Sequence, residues 1–502
     1  MPYYRSVKSI AGLLAAQILG VWGSLFAQSV PFNPAIPKTW DESALSTLEV
    51  PLAQPAFSAV HVPAGYYYRI PERPVFKSYP VYHPSRQPDG YVEWLRQQEP
   101  ELAFDSAKLK SERDWIRAGE TVFQAALLYD SWAKPADLQD KAWWDAVNPP
   151  LTPEGILPSL RYVVRVKGRI EISSFSCAQC HTRVLPDGKI VVGAQGNYPL
   201  SRDQAYSIRH RTDREAVMKG ERSNYSAPWL GSLDPFRRLN AMTLDELASE
   251  RQLIPAGVNA RPRSSPSSPV QIPDLIGVKD RRYLDHTGLV QHRDIGDIMR
   301  YAAANQDGDP LSAHGDFIPL GTRPDAERYR GRYSDAELYA LALYVYSLEP
   351  PPNPNHPNAI SRRGEEVFRD QGCGGCHTPP LYTNNKLTPA KGFSVPPDHR
   401  EKYAILPVVV GTDPTLALGT RRGTGYYKVP SLKGVWYRGP FEHNGSVATL
   451  EDWFNPERLK ENYVPTGFRG VAAKTRAVKG HEFGLRLSAD DKSALIAFLK
   501  TL

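Results

Sequence analysis

The chain has 502 residues, with 61 Lys and Arg against 54 Asp and Glu and a formal net charge of +7. So small an excess over so long a chain argues against a nucleic-acid groove built on bulk charge, and four cysteines exclude a disulfide-held scaffold. The length suits two or three domains with hydrophobic cores of their own.

Arg5 and Lys8 precede an apolar run from Ile10 to Phe26, which ends at Ala27 with Leu25 two places earlier. This is secretory-signal chemistry. It predicts cleavage after Ala27 and a periplasmic or secreted protein. An uncleaved anchor is the alternative, against which Gln17, Gly20, Gly23 and Ser24 dilute the run. No later segment is apolar over enough length to span a bilayer. The run of bases from Arg209 to Arg222 is broken by acids and reads as a solvated face or a docking patch for an acidic protein.

Residues 28–110 are rich in Pro and Tyr, as in AGYYYRIPERPVFKSYPVYHP, and are expected to form an irregular strap. Two copies of one plan follow. IRAGETVF from Ile116 and SRRGEEVF from Ser361 open them. A long phrase then repeats without a gap, IPDLIGVKDRRYLDHTG from Ile272 and VPSLKGVWYRGPFEHNG from Val429, so that His286 and His443 are counterparts. Ser334 with Glu337, and Ser488 with Asp491, cap a closing helix in each copy. The prolines of EPPPNPNHPN, Glu349 to Asn358, favour an extended spacer between domains 111–349 and 359–502. Short β structure is expected only near VLPDGKIVV, where Asp187-Gly188 turns a hairpin. The loop ARPRSSPSSPVQ from Ala260 is expected to be mobile.

Every cysteine belongs to a Cys-x-x-Cys-His unit: Cys177, Cys180 and His181 in the first copy, Cys373, Cys376 and His377 in the second. Two thiols at this spacing can add across the vinyl groups of one haem, while the histidine becomes an axial ligand of the iron. A four-cysteine zinc site or redox-active disulfides would use the same cysteines but leave both histidines unexplained. Each copy thus reads as a cytochrome c-like domain. The expected fold is mainly α, two such domains in tandem behind an irregular N-terminal extension, with two covalently attached haem c groups.

For a second iron ligand, GHEFG places His481 shortly before the last helix; no methionine follows Met299, so a His/Met pair within the second domain is excluded. In the first copy AHGDF, around His314, is a weaker echo. That iron is either open to an oxidant or closed by His314. His210, His286, His292, Met218 and Met299 are the other candidates. Trp436 and Tyr437 stand either between the two irons or in the core.

From Ile116 onward the chain resembles the bacterial di-haem cytochrome c peroxidase superfamily, which includes the methylamine-utilisation di-haem enzymes and the rubber oxygenases. The resemblance implies a catalytic haem at Cys177, Cys180 and His181, and an electron-transferring haem at Cys373, Cys376 and His377. It also implies a calcium ion between the domains, peroxide or dioxygen as oxidant, and a small redox protein, a cytochrome or cupredoxin, as partner. GHEFG resembles the rubber-oxygenase branch, which gives His481 the sixth-ligand role. Two departures weigh against a standard peroxidase. No histidine occurs from Thr182 to Arg209, and the position of the family's catalytic glutamate falls on Gln306. His286 and His292 are then the candidates for moving the catalytic proton.

Overall fold

The computed structural model describes residues 32–57, 60–260, 267–305, 311–313, 331–471 and 474–502. The expected leader, residues 261–266 of the loop, Gln306 and His314 lie outside them.

Two helix pairs carry the plan read from the repeat. In the first, α1 (Glu112–Gln124) packs on α2 (Asp335–Tyr346); in the second, α3 (Ala359–Asp370) packs on α4 (Ala489–Lys500). Each start is fixed by a side-chain cap. Ser111 and Asp114 close a reciprocal box on α1, and Ser334 with Glu337 does the same on α2. Asn358 with Ser361 closes α3, and Ser488 accepts from the Asp491 amide at the head of α4. The buried residues of α3, Gly364, Val367 and Phe368, recur at three and four and face Leu495 and Phe498 of α4. At the centre of each crossing a glycine, Gly119 or Gly364, lies directly on a carbonyl of the partner helix.

The expectation of short β structure near residue 187 alone is corrected. The hairpin Thr182–Val184 with Ile190–Val192 is present, its turn at Gly188 having φ of +81°. A larger antiparallel sheet stands beside it, in the order β1 (Ser78–Tyr82), β3 (Ile156–Val166), β4 (Arg169–Ser174), β2 (Leu128–Tyr129). Strand β3 alternates only in part, because Leu160 and the run Tyr162–Val164 are buried on both faces. Pro80, which has no amide proton to give, sits in the edge strand next to a register shift.

The strap is less irregular than expected, carrying the short helices Glu42–Ser46, Ala64–Tyr67 and Tyr91–Gln97 besides β1, and it touches both halves, Ala53 donating to the Gly423 carbonyl at 2.8 Å. Trp40 is buried and its indole donates to the Val62 carbonyl at 2.7 Å; Val50 donates to Leu289 at 2.7 Å. Residues 349–357 form no helix or strand, as their prolines require. Asn353 fastens this spacer to the end of α4 through the Lys500 carbonyl at 2.9 Å. The halves meet directly, with Lys428 donating to the His286 carbonyl at 2.9 Å and Gln271 to that of His443 at 2.9 Å. Among the described residues no helix is long and apolar enough to cross a membrane.

Candidate functional site

Strand β4 delivers the first attachment motif. Phe175, at φ of +56°, turns the chain, and Ser176 caps the single turn Cys177–Cys180 by accepting from the Gln179 amide at 3.1 Å. Burial pushes the Cys177 thiol up to about 12 and that of Cys180 to about 11. Burial also pushes His181 down to about 4, partly offset by the Pro273 carbonyl beside its ring, although Nδ1 completes no hydrogen bond. Met299 is fully buried in the apolar cluster that Cys177 joins.

The second motif follows α3 on a 3-10 turn, Cys373–Gly375. His377 donates from Nδ1 toward the carbonyls of Tyr382 at 3.2 Å and Pro430 at 3.1 Å. This leaves Nε2 for a ligand, and it is the arrangement by which a metal-bound histidine is oriented. Pro430 and Pro273 hold the same place in the repeated phrase, so each copy sets a proline carbonyl against its own Cys-x-x-Cys-His imidazole.

A cavity of about 290 Å³ opens over this motif. Cys373, Cys376 and His377 line it with Phe368, Val435, Trp453, Phe454 and Leu499, and His481 stands on its wall. The His377 and His481 rings lie 6.3 Å apart, centre to centre, at 57°. An ion bound by both imidazoles, with each metal–nitrogen bond about 2 Å long, would separate the ring centres by roughly 6 Å. Burial above all, and then the neighbouring His377 and Arg458, push His481 down to about 3, so it is neutral, and its buried Nδ1 has no partner. Two uncharged imidazoles facing one another across an apolar cavity, beside two thiols, fit a covalently held haem with histidine on both faces.

The cavity reaches into the first half. Pro273, Asp274, Arg281, Tyr283 and His286 line it too, as do Glu442 and His443. Glu442 contacts His443 Nδ1 at 2.6 Å, and the His443 ring stacks on Tyr427 at 4.6 Å. Of the proposed proton carriers, His286 has Nε2 on the Gln271 carbonyl at 2.8 Å, facing the second motif's cavity. His292 has both ring nitrogens engaged, on the Arg281 carbonyl at 2.7 Å and the Tyr346 hydroxyl at 2.5 Å. His210 is exposed and bonded to the Tyr206 carbonyl, and Met218 is buried in a separate core. Tyr437 is buried and donates to Asp274 at 2.7 Å; Trp436 lies edge-on to it in a cluster shared by both halves.

Among the described residues no three His, Cys, Asp or Glu side chains converge on one point. The two cysteine pairs therefore do not form a four-cysteine zinc site, and among the described residues no carboxylate cluster marks a place for calcium. Sequence reasoning missed Tyr427 and Arg458, which stand in no motif, and Glu442, whose signal was an acid before the histidine in both copies of the repeated phrase, Asp285 and Glu442. The two prolines were visible as coincidences in the repeated phrase.

Residues 425–464, which include Pro430, Glu442 and His443, match the family described as RoxA-like, cytochrome c-like. A protein of Sinorhizobium fredii, uncharacterized protein y4iJ, is 37% identical over 15% of this chain, and the chain spans only 18% of that protein's length. Among solved structures, hydrazine synthase of Kuenenia stuttgartiensis is 16% identical over 59% of this chain and 92% of its own, with a TM-score of 0.27. A MauG-like protein associated with microbial copper homeostasis is 18% identical over 34% and 56%, with a TM-score of 0.22. The chain thus contains a cytochrome c-like segment at residues 425–464, within its second half.

Proposed function

We propose that the chain is an exported di-haem c-type cytochrome with two cytochrome c domains in tandem, acting as an oxidoreductase. In this reading Cys177, Cys180 and His181 would hold the haem at which peroxide or dioxygen reacts, and Cys373, Cys376 and His377 would hold the one that relays electrons from a small redox protein. The observation that carries it is the pair His377 and His481, set 6.3 Å apart across the cavity of the second motif.

When bound, haem supplies an iron that exchanges single electrons and, where one face is free, takes up an oxidant. The chain's own residues do the rest. Cys373 and Cys376 would tether the haem, and His377, oriented by Pro430 and Tyr382, would supply an imidazole nitrogen to its iron together with His481. Arg281 and Arg438, at equivalent places in the repeated phrase, offer guanidinium groups for acidic side chains of the prosthetic group. His286 lines the cavity of the second motif and His292 has both ring nitrogens engaged, so neither takes the proton-handling role at the first motif that the sequence suggested. The apolar side chains of the cavity, Phe368, Val435, Phe454 and Leu499 among them, would pack against the bound group.

The test is the ferric optical and EPR spectrum of the protein matured in a host that attaches haem c. One low-spin signal with a second, high-spin signal that responds to peroxide or CO is expected. Two low-spin signals that respond to neither describe a pure electron carrier and overturn the catalytic assignment. A product without covalent haem overturns the whole reading.

A further inference from the structure

His481 reaches the cavity from an unusual backbone. Its φ is +45°, a conformation that a residue with a Cβ avoids unless the surroundings impose it. The imposing group is Arg458, whose side chain is almost completely buried. Its guanidinium donates from Nη2 to the His481 carbonyl at 2.9 Å, from Nη1 to Val478 at 2.6 Å and from Nε to Trp453 at 2.9 Å. From the other side the His481 amide donates to Val410 at 2.7 Å, and Gly480 lies directly on the backbone of Thr412. Trp453 and Phe483 flank the imidazole at 5.2 and 5.3 Å.

Resting on the ligand reading above, we propose that Arg458 is the positioning residue that makes His481 the sixth ligand of the second haem. Three carbonyls from two separate segments converge on one planar fork, a geometry that a lysine ammonium on a single nitrogen cannot reproduce. None of those hydrogen bonds is to a carboxylate; Glu442 and Glu482 lie near enough to favour the charge, yet burial still lowers the guanidinium, a costly arrangement for a plain loop brace. Nothing in FNPERL as a motif announces this role; the fold supplies it by bringing the stretch under GHEFG.

The experiment compares the matured di-haem protein with Arg458→Met, Arg458→Lys and His481→Ala, each first checked by mass for two covalent haems. Arg458→Met is expected to lose the low-spin signal of the haem at Cys373–His377, as His481→Ala does, and added imidazole is expected to restore it in both. Arg458→Lys, which keeps the charge and loses the fork, is expected to lose it as well. A low-spin Arg458→Met protein with the wild-type reduction potential would overturn the proposal. So would a change in potential without a change in spin state, since the arginine would then act by charge alone. If Arg458→Met fails to mature, Arg458→Lys decides by the same criteria. A His481→Ala protein that stays low-spin defeats the ligand reading itself, and the inference falls with it.

Discussion

Gly364 of α3 lies on the Ala494 carbonyl of α4 so closely that a methyl carbon on it would stand 1.9 Å from that oxygen. Gly119 and Ala340 repeat the contact in the first half, at 2.0 Å. Both neighbours are backbone, which cannot swing aside. The repeated Gly of RAGETVF and RRGEEVF is therefore a helix-crossing residue, and each half is built on the same close approach.

Gly364→Ala should destabilise the protein, although an alanine in a helix interior is ordinarily better than glycine by about 1 kcal/mol. Overpacking of this kind costs typically ~1–3 kcal/mol, and against backbone the upper end applies. Urea unfolding followed by haem absorbance gives the sign. A variant as stable as the wild type or more so would show that the crossing is looser than its geometry.

His481→Met should keep the second haem low-spin and raise its reduction potential, because thioether ligation favours the ferrous state relative to imidazole. The expected shift exceeds the ~59 mV that a tenfold change in a one-electron equilibrium represents. Spectroelectrochemical titration of the two haems measures it. An unmoved pair of potentials would mean that residue 481 is not on the iron.

Much of this architecture was legible in the residues because it is written locally or in duplicate. Caps such as Ser334 with Glu337 need only adjacent chain. The equivalence of Pro273 with Pro430 needs only two copies of one phrase. The four-stranded sheet escaped because strands buried on both faces lose the alternation by which a strand is recognised, as Tyr162–Val164 do. Arg458 escaped for a different reason: its three carbonyl partners lie up to 23 residues away, and no local pattern encodes them. His481 was found from a resemblance and a position, whereas its positive φ and its distance from His377 exist only in three dimensions.

Arg251 and Glu221 form an ion pair sealed in the core between helices Leu244–Gln252 and Arg214–Tyr225, at 2.5 Å, with Tyr225 completing it at 2.9 Å. Both side chains are at most 1% exposed. Glu221→Gln should cost about 3–5 kcal/mol, because it leaves an uncompensated buried cation. Glu221→Leu combined with Arg251→Met should recover most of that loss. Thermal melts of the single and double variants decide it, and a double variant as unstable as the single would show that the pair holds more than charge balance.

Asp203 is buried at 1% exposure and accepts from the Trp143 indole at 3.1 Å and the Tyr198 hydroxyl at 2.9 Å. Burial raises its carboxyl from 3.8 to about 6, and those two hydrogen bonds offset only part of the rise. The folded protein therefore holds a proton there that the unfolded chain has already released. The stabilisation is complete below pH 3.8 and is lost as the pH climbs through about 6. At ~1.4 kcal/mol per pH unit the whole effect is on the order of 3 kcal/mol. Asp203→Asn keeps an acceptor for both donors and carries no charge, so its stability relative to wild type should rise between pH 4 and pH 7. Urea midpoints of both proteins across that range provide the measurement. A difference that stays flat or runs the other way would mean that Asp203 is ionised in the folded state at low pH, stabilised by its two donors beyond the penalty of its burial.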